Sequence, residues 1–404
     1  MIPLEEAQAY VLAGCEALPA APAPMVDAHG LVLAEPVVAD QSIPPFANTA
    51  MDGFAIRSAD LSGASDESPV TLEVVATLAA GTAPDRAVRA GEAVRIMTGA
   101  PMPEGADAVV MVELTDLADD ETTVAVRAEV PVGNHIRHPG EDIEPGQVVF
   151  EPGDELSAGH LGVLASLGIA EVSAHRRPRV GVMSTGDELV DGPGPLAPGQ
   201  IRDSNRCTLL ALVTRCGAVG VDLGLVPDTK EALTTALIAG AETCDALLTS
   251  GGVSMGAFDY VRVVLDELGD MRWMQVAIKP AKPLAFGRIG TTPVFGLPGN
   301  PVSSMVSFEL FARPGLRRMM GHTDLHRPRV TAVAASDLRR HADGKTHFAR
   351  VVAEVGDDGR LHARSAGGQG SHQLAAMAHA NALAVLPDGA GITAGEPVGL
   401  LLLR

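Results

Sequence analysis

Aromatic side chains are scarce in this sequence: one Trp, two Tyr and nine Phe make up 3% of 404 residues. Its cores must therefore be aliphatic, with Ala, Gly and Pro filling the gap and loops numerous. Cysteine is also sparse. Cys15, Cys207, Cys216 and Cys244 form no Cys-x-x-Cys pair, which speaks against a disulfide scaffold or structural zinc and fits a reducing compartment. No apolar run approaches the ~18 residues of a membrane span. Met1 to Glu6 has no basic stretch of the kind that opens a secretory signal. A cytoplasmic protein is expected. Positive charge is short as well, since 30 Lys and Arg against 50 Asp and Glu leave a net charge of −20. That balance excludes a broad nucleic-acid or anionic-membrane surface. A small anionic ligand would need local Lys or Arg, or a divalent cation bridging it to carboxylates. Gly-x-x-x-x-Gly-Lys-Ser/Thr is absent, no Gly-x-Gly-x-x-Gly follows a strand, and no internal repeat is found.

The length accommodates about two to four domains. Leu4 to Leu18 has helical apolar spacing, and Pro19 to Pro24 reads as a stiff link. Residues 44–142 change to short alternating runs, Thr71 to Ala79, Ala93 to Met97, Ala108 to Val112 and Thr123 to Val130, separated by turn signals. Leu156 to Leu167 returns to helical spacing, so this β-rich module is expected as an insertion between helical pieces at 1–43 and 143–177. In residues 178–326 strands and helices alternate, which predicts a mostly parallel sheet covered by helices. Residues 327–404 return to β texture, a small barrel or sandwich.

In an open α/β sheet, ligands sit beyond the carboxyl ends of the strands. Five loops lie there: Ser184 to Glu188, Pro227-Asp228, Ser250 to Gly256 with Asp259, Lys279 to Pro283, and Leu297 to Pro301. Four acids, Asp187, Glu188, Asp228 and Asp259, two lysines, Lys279 and Lys282, and a glycine-serine segment, Ser250, Gly251, Gly252 and Ser254, suit a magnesium-bridged phosphate ester or anhydride. The glycine-serine segment precedes the helix expected over Tyr260 to Leu268, where backbone N–H groups can meet an anion.

Structural readings stand beside these. Asp228 with Glu231 fits a capping box, the preferred reading, and Asp259 also suits a helix cap. Asp187 and Glu188 are adjacent, so one could be solvated surface. Lys279 and Lys282 flank proline in an extended segment, a rigid presentation that favours function. Pro298 and Pro301 bracket Gly299-Asn300, a turn with Pro301 opening a helix. In the β module, Pro44 to Ala55 is polar and apolar without period and reads as a loop with Asp52-Gly53 as a turn, and Gly133 to Asp142 as a loop whose His135 and His138 lack zinc-pair spacing.

Pro45 to Ala55, Arg95 to Ala100, Gly105 to Val110, Arg137 to Asp142, Ser184 to Leu189, Ser250 to Asp259, Lys279 to Pro283, Gly296 to Ser303 and Gly367 to Ser371, in this order, resemble the molybdopterin molybdenumtransferases of the bacterial MoeA type and the related E domain of gephyrin. The resemblance implies an elongated four-domain subunit that forms a homodimer. It implies α/β plus β architecture: the split helical segment, the inserted β module, a mostly parallel α/β sandwich domain and a C-terminal β-barrel-like domain. It also implies insertion of molybdate into adenylylated molybdopterin, with magnesium-dependent cleavage releasing AMP. By position, Asp187, Glu188 and Asp259 resemble metal ligands, and Asp228 completes the acidic set. Ser250, Gly251, Gly252 and Ser254 resemble the phosphate cradle. Lys279, Lys282, Arg350 and Ser371 resemble the molybdate-binding positions, framed by Pro298 and Pro301. Asp52, Thr98 and Asp142 fall in motifs that, in the family dimer, approach the active site from the partner subunit; the resemblance implies a catalytic role for Asp142 and substrate binding for Asp52, Thr98 and Arg137. Ala281 replaces the usual glycine, Phe54 the usual tyrosine and Met255 a smaller apolar residue. A non-catalytic molybdopterin-binding scaffold is the alternative reading, disfavoured by the lack of a long linker or second module.

Overall fold

The computed structural model describes residues 1–252 and 260–403. The proline-rich stretch expected as a link is a strand. Ala20–Pro24 pairs antiparallel with Glu171–His175, which also pairs with Val32–Leu33. Proline cannot donate to a ladder, and Pro22 and Pro24 are tolerated because theirs is an edge strand. Together with the pairing of Val37–Val38 to Val148–Phe150, this joins the chain on both sides of the β module. The helix Ala158–Ser166 covers the joint, burying Leu164 with Leu33, Leu156 and Val172.

The first helix is shorter than expected, Leu4–Ala13, and it packs elsewhere. Leu4, Ala7 and Val11 enter the same core as Phe286, Phe295 and Phe311 of the α/β body. Gln8 Nε2 donates to the Leu310 carbonyl at 3.0 Å. The chain turns away at Gly14, where a Cβ would lie 2.3 Å from the Phe286 ring. A segment that sequence order assigns to the split unit is thus part of the α/β core.

In the β module, Gly53–Ile56 lies between Glu92–Ile96 and Ala108–Met111, and the sheet extends through Val70–Leu78, Thr123–Val126 and Thr115–Leu117. Strand alternation separates its two cores. Phe54 and Ile56 enter one, Ala55 the other. Asp52-Gly53 is therefore a strand entrance rather than a plain turn; a Cβ on Gly53 would sit 1.9 Å from the Val110 carbonyl oxygen.

The α/β sheet runs Val219–Val226, Arg179–Thr185, Ala246–Ser250 and Thr292–Leu297 in parallel, then Pro283–Ile289 and Asp270–Gln275 antiparallel. The strand Pro283–Ile289 is hidden in the sequence because its first residue closes the lysine-proline loop. Past it, Thr346–Val355, Leu361–Ser365, Arg329–Ala334, Pro397–Leu402 and Ala382–Leu386 form a barrel, closed where the last pairs with the first.

Two features join body to barrel. Ile278–Lys279 pairs in parallel with Thr346 and His347, so a body strand joins the barrel sheet. At the linker, the buried Glu309 carboxylate, on the π-helical turn Phe308–Ala312, accepts from Arg215 at 2.5 Å and from Arg327 at 2.8 Å. Arg313 and Arg317 donate to the Leu325 and Asp324 carbonyls, tying down the same connection.

Candidate active site

The parallel strands end at Thr185, Val226, Ser250 and Leu297. Thr185 and Val226 are register partners, which brings the loop carrying Asp187 and Glu188 beside the one carrying Asp228. Burial, then the carboxylates of Asp187 and Glu188, push the Asp228 carboxyl above the usual carboxylate range. Both adjacent acids therefore act on the same spot. Capping does not occupy Asp228. The N-cap of the helix Lys230–Thr243 is Thr229, whose hydroxyl accepts from the Ala232 N–H at 3.3 Å.

Gly251 and Gly252 have φ of 99° and 72°, in the left-handed region, and a Cβ on Gly252 would meet the Val261 side chain at 2.3 Å. The glycines are needed for the bend and for the close approach. The amide of Gly251 is not free for an anion, since it donates to the Leu297 carbonyl at 3.1 Å. Ser250 faces a residue that sequence reasoning missed: Asn205 Nδ2 donates to Ser250 Oγ and to the Gly299 carbonyl, each at 2.7 Å. One carboxamide thus ties the cradle to the Pro298–Pro301 loop. Its neighbours Asp203 and Arg206 are engaged with Ser184, Asp191 and Asp222. The only sequence signal was its place at the start of the helix Asn205–Cys216, directly after the acidic loop. Ser254 and Asp259 lie outside the described residues.

Lys279, Lys282, Pro298 and Ser371 line one cavity of about 660 Å³, together with Lys345 and Ser303, which sequence reasoning missed. Pro301 stands just outside it as the first residue of the helix Pro301–Ser307, as expected for a helix-opening proline. Arg350 is not on this cavity. It lines an adjoining one of about 440 Å³, and Lys279, Pro280 and Gln369 border both. Arg350 is 0% exposed, its Nη2 donates to the Gly368 and Gly370 carbonyls at 2.6 and 3.1 Å, and its Nε has no partner. Among the described residues no carboxylate pairs with it, and burial pulls its pKa down from the usual guanidinium value. Gln369 holds the Arg350 backbone by side-chain bonds to both its N–H and its carbonyl. A cationic double cavity is thus set into a strongly acidic protein.

Ala281, at the floor of the lysine loop, has φ of 75° and is 2% exposed. Left-handed backbone costs alanine about 1–2 kcal/mol. Ala281→Gly removes that strain but loses a buried methyl and adds unfolded-state freedom, each about 0.5–1 kcal/mol, so its thermal midpoint should stay near the parent's. Ala281→Val adds β-branching and volume to the same closed position and should destabilise by about 2 kcal/mol or more. Thermal unfolding of the two variants tests both expectations.

Asp52 and Thr98 meet: Asp52 Oδ1 accepts from Thr98 N at 2.7 Å and from Thr98 Oγ1 at 2.6 Å, which holds the carboxyl below its usual range. Arg137 pairs with Asn48 in a two-residue ladder, and the Asp142 N–H donates to the Ile43 carbonyl. Among the described residues, none of these four bonds to the α/β body within the subunit.

Three family models match the chain: "MoeA N-terminal region (domain I and II)" over residues 2–168, "Probable molybdopterin binding domain" over 181–318, and "MoeA C-terminal region (domain IV)" over 331–403. A molybdopterin molybdenumtransferase of Haemophilus influenzae is 40% identical over 375 residues, 92% of this chain and 91% of that protein. One of Bacillus subtilis is 35% identical over 376 residues, 92% of this chain and 87% of that protein. A solved molybdopterin biosynthesis MoeA protein from Pyrococcus horikoshii superposes with a TM-score of 0.83 at 29% identity, over 100% of both chains.

Proposed function

Since the chain belongs to the MoeA family of molybdopterin molybdenumtransferases, transferases of molybdenum cofactor biosynthesis, we propose that it inserts molybdate into adenylylated molybdopterin and releases AMP. The observation that carries the reading is Arg350, a buried guanidinium without a counter-ion, beside a cavity lined by Lys279, Lys282 and Ser371. Buried cations are costly unless an anion completes them. A tetrahedral dianion such as molybdate supplies that charge.

In this reading Lys279, Lys282 and the Ser371 hydroxyl bind molybdate oxygens, and Arg350 supplies positive potential from the adjoining cavity. The Ser250 hydroxyl and the Gly251-Gly252 bend, with Ser254, seat the cofactor's phosphates. Asn205 keeps that seat in register with the Pro298–Pro301 loop. The two dithiol sulfurs of the cofactor bond to molybdenum, and one molybdate oxygen leaves as water with the two thiol protons. Water attacks phosphorus, the phosphoanhydride P–O bond breaks, AMP leaves, and one of the acids accepts the proton of the attacking water.

Asp187, Glu188 and Asp228, with Asp259, fit magnesium by chemistry: they are hard oxygen donors, and burial, then the charges of Asp187 and Glu188, raise Asp228. When bound, magnesium would supply Lewis-acid stabilisation of the charge on the leaving phosphate. Among the described residues no group of three His, Cys, Asp or Glu is close enough to hold a metal unaided. Magnesium commonly keeps several waters and takes ligands from substrate phosphate. In a homodimer, Asp52, Thr98, Arg137 and Asp142 would complete the other subunit's active site. No described helix is long and apolar enough to cross a membrane.

The test is AMP release and metal-loaded cofactor formation by purified protein given adenylylated molybdopterin, magnesium and molybdate, with molybdate omitted in parallel. Molybdate-dependent AMP release supports the reading. Binding of pterin without turnover would establish the scaffold alternative instead.

A further inference from the structure

We propose that Lys345, on the barrel, is a third cationic ligand of the oxyanion in the lysine cavity. The proposal rests on the reading that this cavity takes molybdate. Lys345 lines the cavity with Lys279 and Lys282, but it comes from the other domain, one residue before the strand Thr346–Val355. Thr346 and His347 of that strand pair with Ile278 and Lys279, and the Thr346 N–H donates to the Ala277 carbonyl at 2.9 Å. Lys345 and Lys279 therefore emerge from hydrogen-bonded segments, and their spacing does not depend on a free loop.

The side chain is anchored too. Lys345 Nζ donates to Asp343 Oδ2 at 2.8 Å, with 20% of the side chain exposed. Asp343 is held in turn by Arg340 Nη2 at 2.9 Å and stands 3.1 Å from His347 Nε2. Arg340, with a side chain 1% exposed, also binds the Lys345, Leu386 and Pro387 carbonyls and Asp388. The neighbours of the carboxyl thus set Lys345 from behind. An ammonium group has three donors, so one bond to Asp343 leaves two for an anion. The charged groups on the lysine cavity are Lys279 and Lys282 from the body and Lys345 from the barrel; the adjoining cavity adds Arg339, Arg340, His341, His347, Arg350 and Asp343, with Asp388 paired to Arg340. Cations outnumber carboxylates there, so the Asp343 contact does not cancel the site's attraction for a dianion. An oxyanion held by Lys279 and Lys345 together would touch both domains and favour their closed contact.

Molybdate binding to the full-length protein, followed by calorimetry across a range of salt concentrations, tests this. Lys345→Met should weaken molybdate binding by about tenfold or more. It should also flatten the salt dependence and leave the thermal midpoint unchanged, while Lys345→Arg keeps affinity close to the parent's. Unchanged affinity in Lys345→Met, with loss in Lys282→Met, would overturn the role of Lys345 and leave the cavity assignment standing. Unchanged affinity in both would overturn the cavity assignment itself. Loss in both Lys345 variants with a fallen thermal midpoint would make the residue structural and overturn the proposal.

Discussion

Arg350→Met should bind molybdate about thirtyfold more weakly than the parent, yet unfold at the same temperature or higher. Acting from the adjoining cavity rather than through a direct bond, the guanidinium works through its field, worth about 2 kcal/mol on a dianion in a partly buried site. Stability should follow a different course. The guanidinium is fully buried and among the described residues has no acid partner, so its two carbonyl bonds only partly offset its desolvation in the ligand-free protein. Its two carbonyl acceptors belong to Gly368 and Gly370, in the largely exposed segment before Ser371, where water can replace the lost donor. Methionine is unbranched and flexible enough to fill the vacated channel. Arg350→Lys keeps a charge but loses the planar fork that reaches both carbonyls, and should fall between parent and Met in molybdate affinity. Calorimetric titration and thermal unfolding of the three proteins decide it. Parent-like affinity in the Met variant would remove the observation on which the molybdate assignment rests.

Asp228→Asn should abolish magnesium-dependent AMP release while stabilising the magnesium-free protein at neutral pH. Asp228 has a folded-state pKa above its unfolded value, because burial and the carboxylates of Asp187 and Glu188 disfavour its charged form. The sign follows from linkage. Below the unfolded pKa the carboxyl is neutral in both states and carries no penalty. As pH rises through the folded pKa, stability is lost, and the full loss persists at pH 7. Asparagine has nothing to titrate, so the stability gap between variant and parent should open as pH is raised from about 4 to 7. Added magnesium should then raise the parent's thermal midpoint more than the variant's. Turnover should drop at least about a hundredfold, as befits loss of a group that holds a Lewis acid. A parent-like magnesium response in the variant would sever Asp228 from the metal, and an unchanged pH profile would sever it from the acid cluster.

Legibility in the sequence followed local periodicity. The alternating runs of the β module are strands at Val70–Leu78, Glu92–Ile96, Ala108–Met111 and Thr123–Val126, and the strand ends at Thr185, Val226, Ser250 and Leu297 frame the candidate site, whereas the strand Gly53–Ile56 sits in a stretch without period that reads as a loop. What depended on distant partners was hidden. Pro22 and Pro24 look like breakers until an edge position makes their missing N–H harmless. The first helix gives no sign that it docks onto the α/β body, because its stripe of Leu4, Ala7 and Val11 would suit any apolar face. Asp228 carries a capping signature, but Thr229 beside it takes the cap. Asn205 and Lys345 belong to no motif singled out in the sequence. Their roles come from bonds to residues 45 and 94 positions away for Asn205, and from a cavity shared between domains for Lys345.

The short ladder between Ile278–Lys279 and Thr346–His347 has a consequence for exchanging parts between relatives. It works as an index mark: slipping it by one residue would turn each side chain to the opposite face of the sheet and take Lys279 out of line with its barrel neighbours. A barrel transplanted from a relative should therefore restore activity only when its first long strand meets the recipient's lysine-proline loop at the same step. Grafts whose strand is shifted by a single residue should fold and remain inactive.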